Sequence, residues 1–214
     1  MPVQSERVVN KYANRFNSNL LRWVFGFPLM GVLVHWIFQG MLYMDRTELI
    51  FKLFLDFSLT ILFSIVLSAW FSWQMALITA FVLAHSVNFI FNSQFWVVMK
   101  FYGLVSLSFE EYEIYSKGIA ERICKASCFS YAGIFGSRVR EEWKSYSDLD
   151  LRLVRTPGFW NGLRGCFFLV QERTRALIRH FPLDIYILDS NEPLQRLRED
   201  ESPIILLDRR VDAE

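Results

Sequence analysis

The chain has 214 residues, a formal net charge of +1 at pH 7 and 53% hydrophobic residues. This length accommodates one domain or two small ones, and the near-neutral charge gives no indication of bulk nucleic-acid binding. An odd number of cysteines outside a secretory context argues against a disulfide framework. We therefore predict that the cysteines pack in the core as small apolar side chains; they are Cys124, Cys128 and Cys166.

The charged residues are unevenly distributed. Residues 20–107 contain only seven of them, namely Arg22, Asp45, Arg46, Glu48, Lys52, Asp56 and Lys100. Most of the charge lies in residues 108–214. This asymmetry predicts a polar N-terminal segment over 1–19, an α-helical membrane region over 20–107 and a soluble domain over 108–214. Because no convincing cleavage site follows the first apolar run, we expect that run to be retained as a membrane helix.

Three apolar segments, 20–43, 49–71 and 73–91, are long enough to cross a bilayer, because about 20 residues at about 1.5 Å per residue span its hydrocarbon core. A fourth segment, 94–107, is short and contains Lys100, so that an interfacial helix and a fourth crossing are alternatives. Basic residues before the first segment favour a cytoplasmic N-terminus. A soluble domain that is also cytoplasmic requires an even number of crossings, and the sequence leaves this number open.

Polar residues recur inside the apolar segments. Lys52 and Asp56 lie one helical turn apart, which predicts either a local ion pair with a snorkelling lysine or a functional intramembrane carboxylate. The others share one helical face in each segment: His35 and Gln39 in the first, and His85, Asn88 and Asn92 in the third. They predict either interhelical hydrogen bonds or a pocket for a lipid headgroup.

The second half of the sequence predicts a small α+β domain. The predicted helices cover 109–126, 138–144, 160–181 and 191–198, and the predicted strands cover 129–135, 148–154, 183–188 and 203–207. Two alternatives are open for the arginines of the predicted helix over 160–181. Either they face solvent, or one of Arg164 and Arg173 contacts a phosphate or an anionic lipid surface. His180 is predicted to be a helix-end residue rather than a base.

Three carboxylates lie on two of these strands. Side chains two apart on a strand point to the same face, so Asp148 and Asp150 project together. Asp184 lies at the start of another apolar strand, and the three acids converge if the two strands are neighbours. Adjacent carboxylates repel unless a cation lies between them. We therefore predict that all three acids bind Mg²⁺ or Mn²⁺ in a two-metal site for phosphoryl or nucleotidyl transfer, with Asp184 as a ligand or a general base.

A glycine–serine turn precedes these acids. Gly136 and Ser137 follow a strand and open a predicted helix, where small residues let backbone N–H groups approach a phosphate. Arg138, Arg140 and Lys144 lie in that helix and are candidates for neutralising phosphate charge. The predicted ligands of the nucleotide phosphates are therefore Gly136 and Ser137, with Arg138 as the first basic candidate.

The sequence resembles the DNA polymerase β-like nucleotidyltransferase superfamily, and most of all its minimal nucleotidyltransferases. The resemblance lies in three parts in this order: Phe135-Gly136-Ser137, then after ten residues Asp148-Leu149-Asp150-Leu151, and later Leu183-Asp184-Ile185. The resemblance covers roughly residues 109–207. It implies a small mixed sheet with helices on one side, Mg²⁺ as cofactor, and a nucleoside triphosphate such as ATP as donor. It also implies that Gly136 and Ser137 grip phosphate, and that Asp148, Asp150 and Asp184 bind metal.

Several functions follow from this interpretation. The first is a membrane-anchored nucleotidyltransferase that acts on a hydroxyl of a membrane-associated acceptor: a glycolipid, an envelope-polymer precursor or a protein. Phospho-alcohol transfer to a glycan is a variant of it. The second is adenylylation of a partner protein, as in antitoxins of the minimal type. The third is a membrane protein whose cytoplasmic domain senses nucleotide without catalysis. A templated polymerase is not expected, because the domain leaves no room for fingers and thumb.

Overall fold

The computed structural model describes residues 28–92, 95–195 and 202–210. The first half is helical, with α1 over Pro28–Phe38, α2 over Arg46–Leu67, α3 over Trp73–Phe91 and α4 over Phe95–Met99. The second half adds helices α5 (Phe109–Lys125), α6 (Phe159–Ile178) and α7 (Glu192–Gln195), and strands β1 (Phe129–Phe135), β2 (Leu149–Arg155), β3 (Leu183–Leu188) and β4 (Ile204–Asp208). The predicted N-terminal segment, 1–19, lies outside the described residues.

Helices α2 and α3 correspond to the second and third predicted apolar segments. Both are long and apolar enough to cross a bilayer, with mean hydropathies of 2.1 and 1.6. Length and composition alone do not separate such helices from the core helices of soluble proteins. Only 6% of the apolar window of α2 is buried, however. Its exposed side chains include Ile50, Phe54, Phe57, Ile61 and Ile65.

The first and fourth predicted segments differ from expectation. The first is described only from Pro28, and its helix ends at Phe38, where Gln39 and Gly40 adopt left-handed backbone with φ of 44° and 74°. The fourth contains the five-residue helix α4 and one 3-10 turn over Lys100–Tyr102. Five helical residues extend about 7.5 Å. This helix is too short to cross a bilayer by itself.

Polar side chains of the apolar helices bond between helices, which confirms one of the two alternatives. His85 Nδ1 lies 2.7 Å from Asp56 Oδ2, and its Nε2 lies 2.9 Å from the carbonyl oxygen of Trp36. Lys52 Nζ donates to Asn88 Oδ1 at 3.3 Å. The predicted ion pair between Lys52 and Asp56 is wrong, because Asp56 pairs with His85 and the lysine is buried rather than snorkelling.

The sheet is mixed, in the order β3-β2-β1-β4. Strand β1 pairs antiparallel with β2 and β4, and β2 pairs parallel with β3 through the crossover helix α6. Helices α5 and α6 pack on one face, over a core that includes Leu149, Leu151, Leu153, Ile185 and Ile187. Because strand side chains alternate, Asp150 and Asp184 lie on the opposite face. This layout confirms the α+β expectation, with the two long helices on one side of the sheet; on the other side, Leu194 of α7 packs against Tyr131, Val154 and Leu188.

One predicted helix does not form. Residues 138–144 contain only the end of a 3-10 turn over Gly136–Arg138, and Glu141 has a φ of 58° that no α-helix accepts. A helix of seven residues gains few hydrogen bonds against the cost of nucleation. The predicted helix over 191–198 is described as far as Gln195. Residues 196–198 lie outside the described residues.

Two smaller predictions have mixed outcomes. Cys128 and Cys166 are buried as predicted, whereas Cys124 is exposed in the last turn of α5. His180 is a helix-end residue as predicted: it follows α6 with a φ of 54°, and its ring centroid lies 4.6 Å from that of Trp96.

A buried ion pair joins the apolar helices to the sheet. Arg173 Nη2 on α6 lies 2.7 Å from Glu48 Oε1 on α2, and the two side chains are 2% and 3% exposed. The guanidinium also donates to the carbonyl oxygen of Ile185, and Glu48 Oε2 accepts the N–H of Ile187 at 2.9 Å. Arg173 is therefore neither solvated nor lipid-facing, whereas Arg164 is exposed.

We expect Arg173→Met to lower the free energy of unfolding by about 3–5 kcal/mol, because it leaves the Glu48 carboxylate buried and unpaired. The double variant Glu48→Gln/Arg173→Met should recover much of this loss. The control is Arg164→Met, which removes an exposed arginine from the same helix and should change stability by less than about 0.5 kcal/mol. Denaturant unfolding in detergent measures all three. Equal losses for Arg173→Met and Arg164→Met would contradict the role of the pair.

Candidate functional site

Strands β2 and β3 bring the three predicted acids together. In the parallel register Asp150 lies directly opposite Asp184, and Asp148 immediately precedes β2. Burial raises the pKa of Asp150 well above its usual value, with further contributions from the negative charges of Asp148 and Asp184 and from a hydrogen bond with Asp184. The three carboxyl groups therefore share one electrostatic environment.

Gly136 lies against Asp150 and cannot be replaced without disturbance. Phe135 is opposite Asp150 in the antiparallel pairing of β1 and β2, and Gly136 follows with a φ of 75°. A Cβ atom at Gly136 would lie 1.9 Å from Asp150 Oδ2. Glycine is thus required both by the left-handed backbone and by the close approach of the carboxylate. The predicted helix N-terminus at this turn is wrong, since only a 3-10 turn follows.

A polar cleft of about 590 Å³ opens beside Asp148. Its lining includes Lys100, Ser137, Trp143, Lys144, Tyr146 and Asp148. The Ser137 hydroxyl and the Trp143 indole N–H are buried and have no hydrogen-bond partner within the described residues. Buried polar atoms without partners are costly in a folded protein. The cleft therefore offers two hydrogen-bonding groups to a polar ligand.

Arg138, the first basic candidate for phosphate binding, does not line the cleft. Its Nη2 lies 3.0 Å from Glu113 Oε1, and its guanidinium carbon lies 5.2 Å from the centroid of the Phe109 ring. Both partners belong to α5. Arg138 is therefore held against that helix and does not line the cleft. Arg140 likewise pairs with Glu142.

Two cations that sequence reasoning missed lie against the acids. Lys100 Nζ is 2.5 Å from Asp148 Oδ2, and Arg152 Nη2 is 3.3 Å from Asp184 Oδ2. Arg152 could have been found, because it continues the alternation of Asp148 and Asp150 on the same strand face. The only signal for Lys100 was its isolation as the single charge between residues 94 and 107.

Tyr112 is a third group that the sequence did not single out. Its hydroxyl is buried on α5 without a hydrogen-bond partner within the described residues. Burial raises the pKa of Tyr112 above its usual value, and the negative charges of Asp150 and Asp148 raise it further. The Tyr112 phenol is therefore a neutral neighbour of the acids.

The three acids have the ligand chemistry that a divalent cation needs, but their side chains are not arranged around a common metal position. Carboxylate oxygens are the ligands that Mg²⁺ prefers. Over 28–92, 95–195 and 202–210, however, no three His, Cys, Asp or Glu side chains are disposed as a metal-binding group. Lys100 and Arg152 each hold one of the carboxylates. The acids fit a divalent cation on the condition that Lys100 releases Asp148.

A second, apolar cavity is not part of this site. It has a volume of about 470 Å³, lies between α2 and α6, and is lined by Phe51, Phe54, Phe159 and Leu163 among others. Arg155 also lines it, at the far end of β2. Five residues of strand separate Arg155 from Asp150, which is about 17 Å. Although it is the more enclosed and apolar of the two cavities, we locate the candidate chemistry at the polar cleft, because Asp148 lines that cleft.

No protein-family model and no curated protein matches this chain. The functional interpretation therefore rests on the acids, the glycine contact and the cleft.

We expect Gly136→Ala to lower the free energy of unfolding by at least about 1–2 kcal/mol, from the left-handed backbone alone. It should also displace Asp150 and weaken Mn²⁺ binding measured by electron paramagnetic resonance. The control is Gly31→Ala in α1, where an added Cβ meets only the Tyr102 hydroxyl at 3.8 Å. That change should be neutral or stabilising by up to about 1 kcal/mol. Equal stability and equal Mn²⁺ affinity of the two variants would contradict a role for the contact between Gly136 and Asp150.

Proposed function

We propose that the chain is a membrane-anchored, Mg²⁺-dependent nucleotidyltransferase that moves a nucleoside monophosphate from a nucleoside triphosphate to a hydroxyl of a membrane-associated acceptor. The observation that carries the proposal is the convergence of Asp148, Asp150 and Asp184 beside the Gly136–Ser137 turn and the polar cleft. The resemblance to the DNA polymerase β-like superfamily supports it, as does the mixed sheet with its two long helices on one face.

The charge at the site supports a cationic cofactor. Three carboxyl groups face the cations Lys100 and Arg152, which leaves one negative charge uncompensated when all three are ionised. The raised pKa of Asp150 reflects this excess together with burial. Asp148, Asp150 and Asp184 would hold Mg²⁺, which supplies stabilisation of phosphate oxygens and of an attacking hydroxyl.

Other groups of the chain suit binding of the phosphates, binding of the nucleobase and transfer of the proton. The Gly136 backbone approaches the Asp150 carboxylate closely. Ser137 lines the cleft, and its hydroxyl, which has no partner within the described residues, can donate to a phosphate oxygen. Trp143 and Tyr146 offer aromatic surface to a nucleobase in the cleft. Burial raises the pKa of Asp150, which favours Asp150 as the acceptor of a proton from the acceptor hydroxyl.

The helices support the membrane part of the proposal. The largely uncovered apolar side chains of α2 would face hydrocarbon, while Glu48 ties the beginning of that helix to the sheet. An anchored catalyst acts on an anchored acceptor at a raised local concentration.

We expect Asp150→Asn and Asp184→Asn to lower the transfer rate by about 100-fold or more, because the site loses carboxylate ligands and a proton acceptor. The assay combines detergent-purified protein, Mg²⁺, α-labelled nucleoside triphosphates and membrane extract. The control is Asp208→Asn, which changes an exposed carboxylate on the distant strand β4. Full labelling by Asp150→Asn would reject the proposal.

The fate of the label separates the alternatives. Label in the lipid or polymer fraction would identify a glycolipid or envelope precursor as acceptor. Label in one protein band would favour adenylylation of a partner. Nucleotide binding without transfer under every condition would favour a sensor.

We also expect the protein to stay in the membrane pellet after washing with alkaline carbonate, since apolar helices that span a bilayer resist extraction. The check is immunoblotting of pellet and supernatant, with a peripheral membrane protein as control. Release into the supernatant would contradict anchoring and leave the acid site untouched.

A further inference from the structure

Lys100 comes from the helical half of the chain and reaches the acid site. It begins the 3-10 turn that follows α4, in the segment that connects the apolar helices to the soluble domain. The side chain is buried, and its ammonium lies 2.5 Å from Asp148 Oδ2. A buried lysine held by a candidate metal ligand is therefore built into the cleft.

The position of this ammonium conflicts with a bound metal. A divalent cation on Asp148 would compete for the carboxylate that Lys100 holds, and the two positive charges would repel. Lys100 also lines the cleft that contains Ser137 and Tyr146. Lysine is a compact charge on a flexible stem with several rotatable donors, so it can exchange a carboxylate for a phosphate by a small movement.

We infer that Lys100 is a donor-binding residue: it holds Asp148 when no metal is present, and it moves to the polyphosphate when a divalent cation and a nucleotide enter the cleft, an assignment that rests on the proposed function. The carboxylate then passes to the cation, and the triphosphate becomes the partner of the ammonium. Lys100 thereby links occupation of the metal site to occupation of the nucleotide site.

This role predicts opposite effects on two ligands. Lys100→Met removes the competitor for Asp148, so Mn²⁺ alone should bind more tightly, by about tenfold. The same change removes a charge-assisted contact with phosphate, so inorganic tripolyphosphate in the presence of Mn²⁺ should bind about tenfold more weakly. A purely structural role would weaken both or change neither.

The experiment uses the full chain purified in detergent. Mn²⁺ binding is followed by electron paramagnetic resonance, and tripolyphosphate binding by calorimetry, so that neither readout requires activity or knowledge of the base. Lys100→Arg keeps the charge and should retain most of the tripolyphosphate affinity. The control Lys125→Met removes an exposed lysine at the end of α5, outside the cleft, and should change neither affinity.

A second measurement needs no substitution. In the unaltered protein, Mn²⁺ should raise the rate at which Lys100 is acetylated, and added tripolyphosphate should lower it again, while Lys125 stays constant. Mass spectrometry reports both rates, so the inference stays testable if Lys100→Met fails to fold.

The outcomes separate the two proposals. If the unaltered protein binds neither Mn²⁺ nor tripolyphosphate, the proposed function and the role of Lys100 both fail. If it binds both, but Lys100→Met shifts the affinities in the same direction or leaves them unchanged, only the role of Lys100 is overturned. A constant acetylation rate at Lys100 in the three states would also overturn it.

Discussion

The buried pair of Glu48 and Arg173 is the interaction on which the rest of the molecule depends. Strand β3 is an edge strand, and the backbone groups of Ile185 and Ile187 point to its outer side. Arg173 donates to the first carbonyl, and Glu48 accepts the second N–H. An uncovered strand edge invites pairing with another chain. Here two charged side chains cover it, and the same pair attaches the apolar helices to the strand that carries Asp184.

This attachment makes the candidate site a product of both halves of the chain. The parallel register of β2 and β3 sets Asp184 opposite Asp150, and the segment after α4 delivers Lys100 to Asp148. The predicted division near residue 107 between a membrane region and a soluble domain therefore describes the composition of the chain but not the boundaries of the candidate site. The cleft takes Lys100 from one side of that division and the other residues of its lining from the second side.

The convergence of the three acids could be predicted from the sequence because its signal is local. Alternation on a strand placed Asp150 on the face opposite the core, and the order of elements brought Asp184 beside it. The Glu48–Arg173 pair and the Lys100–Asp148 pair escaped prediction for a physical reason: their partners lie 125 and 48 residues apart in the chain. Such pairs follow from packing, which periodicity does not encode. The missing helix over 138–144 fails similarly, since its good propensity was overridden by tertiary contacts of Trp143 with α5.

Charge balance explains why metal and nucleotide would bind together. In the present arrangement the ammonium of Lys100 and the guanidinium of Arg152 oppose three carboxyl groups, and Asp150 bears the excess through its raised pKa. A divalent cation in place of the ammonium would complete the neutralisation of the acids. It would also leave Lys100 buried beside new positive charge, which is unfavourable unless an anion arrives with the cation. A polyphosphate is such an anion, and by linkage each ligand would raise the affinity of the site for the other.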